Sequence, residues 1–293
     1  MKAIVLAGGL GSRLFPSTLA ASKQLLPIFD KPMIYYPLSV IMLAEIREVL
    51  LISTPHDIDQ YKRLLGDGSQ WGISIEYCIQ EKPQGLAEAF LLGEKFIGNE
   101  CVCLVLGDNV FYGTGMSNLL KEAKKRVATS GGGCIFACPV ADTSGFGIVD
   151  FDSAGKVLSI EEKPDNPKSN YAVPGLYFYD NTVCSIAKKV TPSSRGELEI
   201  TAVNNAYLSQ NNLQVVTLGR GIAWLDTGTP QGLLNAANFV EAVQSRQGLY
   251  IACIEEIAYN NGWLNREKLR ELGAKLQSTE YGQYILSLGR NDT

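Results

Sequence analysis

The chain has 293 residues, a formal net charge of −4 and a pI of about 5.3. Its length suits one large α/β domain or two smaller ones. An acidic chain lacks the basic surface of a protein that coats nucleic acid, and its apolar runs are too short for a signal peptide or a membrane span. We therefore expect neither a nucleic-acid partner nor a membrane partner.

The seven cysteines and the single histidine, His56, argue against a zinc-type site. Such sites need cysteine and histidine pairs at tight spacing, and the sequence does not contain them. We expect buried, reduced thiols, which are typical of a cytoplasmic protein.

The first 140 residues alternate between short apolar runs rich in β-branched side chains and amphipathic segments. This pattern predicts strands at 2–7, 48–54, 74–80, 101–107 and 134–140, and helices near 32–45, 57–65, 85–97 and 117–128, with Pro32 in the first turn of its helix. Alternation of this kind predicts a parallel, doubly wound sheet that is covered on both faces.

Beyond residue 140 the pattern changes to that of β-hairpins. The segment 147–164 predicts two strands around a Ser-Ala-Gly turn. The segment 171–180 predicts a further strand, in which Pro174 indicates an edge or a bulge.

The last part of the chain has a helical pattern. Thr229 and Pro230 suit the N-cap and the first position of a helix, and 254–288 predicts short helices with glycine breaks. We expect one continuous α/β domain with an inserted β portion and a C-terminal helical subdomain.

Three glycines and an arginine follow the first predicted strand, in the segment 8–13. A dinucleotide fingerprint does not fit, because Leu14 occupies its third glycine position, and the lysine and hydroxyl residue that end a Walker A loop are replaced by Arg13 and Leu14. Two interpretations remain: a tight turn, or a loop whose backbone N–H groups and Arg13 bind phosphate. Lys23 is a second candidate phosphate ligand.

Two aspartates stand where Mg²⁺ binding is plausible on chemical grounds. Asp108 ends the apolar run 101–107, and α/β sheets bind their ligands at the carboxyl ends of parallel strands. Asp226 is distant in sequence, and two carboxylates with phosphate oxygens as further ligands suit Mg²⁺. Either aspartate alone also fits a turn or an N-cap, so both interpretations stay open on this evidence.

Six ordered motifs together resemble one family. They are LAGGLGSRLFPST (6–18), SKQLLP (22–27), LLGDGSQWG (64–72), LVLGDNVFYG (104–113), RGELEIT (195–201) and AWLDTGT (223–229). They extend over nearly the whole chain and resemble the sugar-nucleotide pyrophosphorylases. The second, third and fifth motifs favour the thymidylyltransferase branch of that family.

The resemblance implies a Rossmann-like nucleotide-diphospho-sugar transferase fold, which is an α/β architecture with a mixed central sheet, an inserted β portion and C-terminal helices. The nucleotidyltransferase domain would span 1–240, with a nucleotide-binding part at about 1–140 and a sugar-binding part at about 141–230. Residues 241–293 would form a helical subdomain for oligomerisation or regulation.

The implied reaction is the Mg²⁺-dependent transfer of a thymidylyl group from dTTP to α-D-glucose 1-phosphate. Direct in-line attack would give dTDP-glucose and pyrophosphate, the first step of dTDP-deoxysugar biosynthesis such as that of dTDP-rhamnose. A sugar phosphate is already an anion at neutral pH, so the protein needs to supply cations and alignment rather than a side-chain nucleophile.

The same resemblance implies the site residues. Arg13, Lys23, Asp108 and Lys163 would be catalytic, and Asp108 and Asp226 would hold Mg²⁺. The nucleotide would be bound by Leu6, Gly8, Gly9, Gly11, Ser12, Arg13, Lys23, Gln24, Gln80, Gly85 and Asp108. The sugar phosphate would be bound by Asn109, Gly147, Glu162, Lys163, Val173, Tyr177, Arg195 and Trp224. Phe146 and Pro174 stand where many relatives carry Tyr and Thr, so two polar groups near the expected sugar are absent.

Regulation and assembly are implied in the same way. Relatives of this kind form homotetramers that a dTDP-sugar end product inhibits, and the residues carried over are Gly115, Arg220, Glu255 and Glu256. Two alternatives stay open: a related transferase that uses UTP or another sugar phosphate, and a catalytically silent sugar-nucleotide-binding protein. A silent protein would be expected to have lost Arg13, Lys23 or the aspartates, and all of them are present.

Overall fold

The computed structural model describes residues 1–289, which contain fourteen strands and eleven α-helices. The strands are β1 (Lys2–Ala7), β2 (Pro27–Ile28), β3 (Lys31–Pro32), β4 (Glu48–Ser53), β5 (Ser74–Ile79), β6 (Val102–Leu106), β7 (Asn109–Gly113), β8 (Gly133–Pro139), β9 (Gly147–Phe151), β10 (Val157–Glu162), β11 (Tyr171–Ala172), β12 (Leu176–Tyr179), β13 (Leu213–Thr217) and β14 (Ile222–Asp226). The helices are α1 (Tyr35–Leu43), α2 (Ile58–Leu65), α3 (Glu88–Leu92), α4 (Glu94–Ile97), α5 (Met116–Ser130), α6 (Val183–Ala187), α7 (Ile200–Ser209), α8 (Pro230–Gln247), α9 (Ile254–Asn260), α10 (Arg266–Lys275) and α11 (Glu280–Leu288).

Ten of the strands form one mixed sheet. At one end β6, β1, β4 and β5 lie side by side and parallel, as their apolar sequences predict. Beyond them the sheet departs from the parallel arrangement that the first 140 residues predict, because β12 pairs antiparallel with both β6 and β8. The sheet is therefore mixed, as the family resemblance implies. The chain returns from the inserted β portion in the opposite direction, so β12 separates β8 from the parallel strands.

The sheet is covered on both faces, as predicted. Ala3, Val5 and Ala7 of β1 pack into a core with α1, α2, α5 and α9. Ile4 and Leu6 point to the other face and pack with α3, α4, α6 and α7. Successive side chains of a strand point to opposite faces of the sheet, so a continuously apolar strand such as β1 buries all of its side chains only when helices cover both faces.

Two predicted helices differ from their observed form. The helix predicted near 32–45 begins only at Tyr35, and Pro32 lies in the β2–β3 ribbon, opposite Pro27. Pro37 lies in the first turn of α1 instead, where the missing N–H of proline costs no intrahelical hydrogen bond. The helix predicted near 85–97 is split at Gly93, where a Cβ would lie 2.8 Å from the Ile4 side chain of the sheet.

The inserted β portion confirms the predicted hairpin of β9 and β10, with Gly155 in its turn. The strand predicted at 171–180 is two strands, β11 and β12, separated at Pro174. Pro174 has no N–H to donate to a ladder, and the chain there leaves β9 to pair with β6.

The C-terminal helices confirm the predicted caps. Thr229 accepts a hydrogen bond from the Gly232 N–H at 3.0 Å, with Pro230 at the first position of α8. Of the subdomain predicted at 241–293, residues 290–293 lie outside the described residues. Within residues 1–289, no helix combines the length and the apolarity needed to cross a membrane.

All seven cysteines are free thiols. Five are buried, as expected, whereas Cys78, on the edge strand β5, and Cys101, which directly precedes β6, are half-buried.

Candidate active site

Two adjoining cavities open at the carboxyl ends of the parallel strands. The larger has a volume of about 590 Å³ and the smaller about 220 Å³. Asp108, Leu86, Leu106 and Glu197 line both. Asp108 follows Gly107, which comes directly after the last residue of β6. The wall that the two cavities share therefore lies at the carboxyl end of a parallel strand, where open α/β sheets bind their ligands.

The glycine loop, residues 8–13, connects β1 to a short helical turn at 12–14. Gly9 and Gly11 have positive φ angles of 93° and 60°, a conformation that glycine adopts without strain. Among residues 1–289, no acceptor is bonded to the backbone N–H groups of Gly9, Leu10, Gly11 or Ser12. The loop therefore leaves a run of backbone donors without a protein acceptor, open to water or to an anion.

Lys23 and Asp108 form an ion pair at the junction of the cavities, and little of either side chain is exposed. Burial alone would raise the pKa of Asp108, but the charge and hydrogen bond of Lys23, together with the hydrogen bond from Asn109, outweigh burial and lower that pKa below its usual value. Asn109 Nδ2 also donates to Asp108 Oδ1 at 3.0 Å. Asp108 is thus held as a carboxylate.

Asp226 approaches the same junction from β14, whose register places it opposite Asn109 of β7. Burial, and then the negative charge of Asp108, raise the pKa of Asp226. Arg13 reaches this point from the glycine loop, since a Cβ on Gly228 would lie 2.5 Å from Arg13 Nη2. The fold therefore brings together two carboxylates and two cations that are far apart in sequence.

The smaller cavity is lined by eight of the predicted nucleotide ligands: Leu6, Gly8, Gly9, Lys23, Gln24, Gln80, Gly85 and Asp108. Gln80 is 2% exposed, and its Nε2 donates to Glu88 Oε2 at 2.6 Å. Glu88 was not anticipated from the sequence. Its position eight residues after Gln80, at the start of a predicted helix, gave no signal for this contact.

Gly85, on the wall of the smaller cavity, packs closely against the segment around Leu198. A Cβ at this residue would lie 2.5 Å from the Leu198 backbone. On either side, Leu198 N donates to Gln84 O at 2.6 Å and Ala87 N donates to Leu198 O at 3.0 Å. The segment beside the smaller cavity is thus paired with the segment that carries Arg195 and Glu199.

The larger cavity is lined by all eight predicted sugar-phosphate ligands: Asn109, Gly147, Glu162, Lys163, Val173, Tyr177, Arg195 and Trp224. Arg13, Asp108 and Asp226 line it too. Trp224 Nε1 donates to Asn109 Oδ1 at 2.6 Å, and the Trp224 ring meets Phe146 edge to face, with centroids 5.0 Å apart. This wall combines an aromatic surface with polar groups, as a sugar site requires.

Arg195 is surrounded by carboxylates. Its Nη2 donates to both oxygens of Glu199, at 2.8 and 2.9 Å, and to Glu162 Oε1 at 3.2 Å. Lys163 Nζ lies 3.8 Å from the same Glu162 oxygen. Glu162 therefore contacts two cations that line the cavity. Glu199 belongs to the same RGELEIT motif as Arg195 and orients its guanidinium group, a role that was not predicted from the sequence.

Some predicted residues lie elsewhere. Gly11 and Ser12 line neither cavity. Gly115 and Arg220 lie just beyond the Gly113–Ile222 pair, at the end of the β7–β14 ribbon that is remote from Asp226. Glu255 is buried and accepts hydrogen bonds from Trp71 Nε1 at 3.0 Å and Tyr281 OH at 2.5 Å, and Glu256 accepts from Tyr284 OH at 2.9 Å.

The model of the nucleotidyl transferase family matches residues 2–243. Over 288 residues the chain is 56% identical to a glucose-1-phosphate thymidylyltransferase of Neisseria meningitidis, covering 98% of this chain and 99% of the relative. It is 53% identical over 288 residues to the glucose-1-phosphate thymidylyltransferase of Mycobacterium tuberculosis, with the same coverage. A solved structure from Bacillus anthracis, provisionally assigned the same activity and bound to sucrose, superposes with a TM-score of 0.75 at 37% identity, covering 82% of this chain and 94% of that one.

Proposed function

The chain belongs to the nucleotidyl transferase family, within its glucose-1-phosphate thymidylyltransferase branch, and from that premise we propose that it forms dTDP-glucose and pyrophosphate from dTTP and α-D-glucose 1-phosphate. It has the nucleotide-diphospho-sugar transferase fold that its motifs imply. The observation that carries the proposal is the junction of two cavities at Asp108, with Lys23 and Arg13 beside it. A nucleotide in the smaller cavity and a sugar phosphate in the larger one would meet there.

The chain's cations and amides would do the chemical work. The glycine-loop N–H groups and Arg13 bind the triphosphate and stabilise the departing pyrophosphate, and Lys23 neutralises charge at the α-phosphate. Lys163 and Arg195, which both line the larger cavity, would hold the sugar phosphate. Aligning the two substrates in this way lowers the barrier by roughly 7–11 kcal/mol.

The residues at the junction fit Mg²⁺. Among the described residues no group of three or more His, Cys, Asp or Glu forms a ready metal site, but Mg²⁺ commonly uses one or two carboxylates plus substrate phosphates and water. Asp108 and Asp226 would hold the ion, and its charge would offset the burial and the repulsion by Asp108 that raise the pKa of Asp226. When bound, Mg²⁺ supplies charge neutralisation at the phosphates.

Activity assays test this proposal. We expect the protein to release pyrophosphate from dTTP and α-D-glucose 1-phosphate. EDTA is expected to abolish this activity, and excess Mg²⁺ is expected to restore it. A clear preference for UTP, or activity that survives exhaustive chelation, would contradict the assignment of the base or of the metal.

Assembly and regulation follow from the family premise. The proposed enzyme is a homotetramer inhibited by a dTDP-sugar that is made from its product in dTDP-deoxysugar biosynthesis, such as that of dTDP-rhamnose. Analytical ultracentrifugation is expected to give four chains per particle, and a monomer at micromolar concentration would contradict the assembly.

A further inference from the structure

Glu88 fixes the orientation of a buried amide in the smaller cavity. Its Oε2 accepts two hydrogen bonds, from Gln80 Nε2 at 2.6 Å and from the Gln84 backbone N–H at 3.0 Å. A carboxylate only accepts hydrogen bonds, so the nitrogen end of the Gln80 amide must face Glu88. The backbone N–H of Gln84 confirms that this oxygen acts as an acceptor.

The oxygen of the same amide is left facing the cavity. Gln80 Oε1 lies against Gly8, where a Cβ would be only 2.4 Å away. Among residues 1–289 no donor is bonded to this oxygen, and every fully buried side-chain nitrogen or oxygen has a partner. Gln80 Oε1 is therefore an open acceptor on the cavity wall, supplied by a side chain that is 2% exposed.

We propose that Glu88 is a specificity-determining positioning residue, which turns the Gln80 carbonyl toward the nucleotide base so that the site selects bases with a ring N–H. The inference rests on the proposed function, because it takes the smaller cavity to be the base site. Thymine and uracil present an N3–H donor to the Gln80 oxygen. Cytosine presents an N3 acceptor there, and two facing acceptors repel each other and leave a buried polar group unpaired.

The test is Glu88→Leu, which replaces the carboxylate with an apolar side chain of similar size and removes the acceptor of both hydrogen bonds. Without that acceptor the Gln80 amide is free to turn and present its Nε2 to the N3 acceptor of cytosine. We expect the ratio of kcat/KM for dTTP to that for dCTP to fall by at least about tenfold. Where dCTP is not turned over, its inhibition constant against dTTP provides the same ratio.

A second ratio separates orientation from general damage to the pocket. dTTP and dUTP share the N3–H, so their kcat/KM ratio is expected to stay at the wild-type value in Glu88→Leu. The matched control is Glu94→Leu in α4, which removes an exposed ion pair with Lys188 and is expected to leave both ratios unchanged.

The outcomes are distinguishable. An unchanged dTTP-to-dCTP ratio in a folded Glu88→Leu variant overturns the inference while leaving the proposed function intact, and so does an equal loss for all three nucleotides, which a merely structural role would produce. A wild-type protein that does not use dTTP overturns the proposed function itself.

Discussion

At the scale of single residues, the site depends on charges that only the fold brings together. Lys23 and Asp108 are 85 positions apart, yet they form an ion pair at the junction of the two cavities. Ion pairs in a partly buried setting are strong because water screens them little. Changing either partner therefore alters both the charge offered to the phosphates and the position of the group that remains.

Asp108→Asn tests this pair. We expect kcat to fall about 10³-fold, or roughly 4 kcal/mol of transition-state stabilisation, because the amide neither holds a divalent cation nor fixes Lys23. Lys23→Ala is expected to lose a similar factor. The matched control is Lys62→Ala, which removes an exposed lysine paired with Asp59 on α2 and is expected to keep the wild-type rate.

Near-normal turnover in Asp108→Asn or Lys23→Ala would show that the pair is structural. Far-ultraviolet circular dichroism and thermal melting of each variant establish that the loss of rate is not a loss of folded protein.

Gly8→Ala tests whether the smaller cavity holds the nucleotide. The new Cβ would lie 2.4 Å from Gln80 Oε1 and push that side chain into the cavity. We expect KM for dTTP to rise by about tenfold or more, since one misplaced buried polar contact costs about 1–3 kcal/mol. Gly219→Ala is the control, because a Cβ there meets nothing within 4 Å; equal KM values in the two variants would argue against the assignment.

At the scale of elements, the C-terminal helices are tied to the catalytic domain by a buried lysine. Lys31 of β3 pairs with Asp30 at 2.6 Å and donates to Gln244 Oε1 of α8 at 3.2 Å. Its Nζ also lies 5.4–5.6 Å from the ring centroids of Tyr36, Tyr250 and Tyr281. The desolvation caused by burial lowers the pKa of Lys31, so these partners stabilise a cation that would otherwise be costly to bury.

Lys31→Met is expected to lower the free energy of unfolding by about 3 kcal/mol, because removing one member of a buried pair strands the other. Urea denaturation measures this loss. Lys62→Met, which breaks an exposed pair, is expected to cost under about 1 kcal/mol. Equal effects of the two changes would show that the aromatic and amide contacts of Lys31 contribute little.

At the scale of the whole molecule, the sequence predicted the elements better than their arrangement. The sequence predicted β1, β4, β5, β6 and β8 within one residue at either end. Four of them are apolar runs buried on both faces, whereas β5, the edge strand, is largely exposed and has a single buried residue. The antiparallel entry of β12 between β6 and β8 could not be predicted, since its pairing depends on where the inserted β portion returns the chain.

The site shows the same division. The motifs singled out residues that do line the two cavities, because glycine loops and strand-end carboxylates carry strong local patterns. They could not reveal Glu88 or Glu199, whose importance lies in orienting Gln80 and Arg195 across contacts that only the folded chain creates. Supporting residues of this kind have ordinary helix-start or loop sequences.

The central claim is that the glycine loop and its neighbouring cations hold the nucleotide's phosphates at the junction of the two cavities. A crystal structure of the protein with dTTP, α-D-glucose 1-phosphate and Mg²⁺, or with the products formed from them, tests it most directly. The account predicts phosphorus atoms within hydrogen-bonding reach of the residue 8–13 amides, with the α-phosphate beside Lys23 and the sugar against Trp224. The claim would be contradicted if the phosphates were bound away from residues 8–13 and neither cavity contained a substrate.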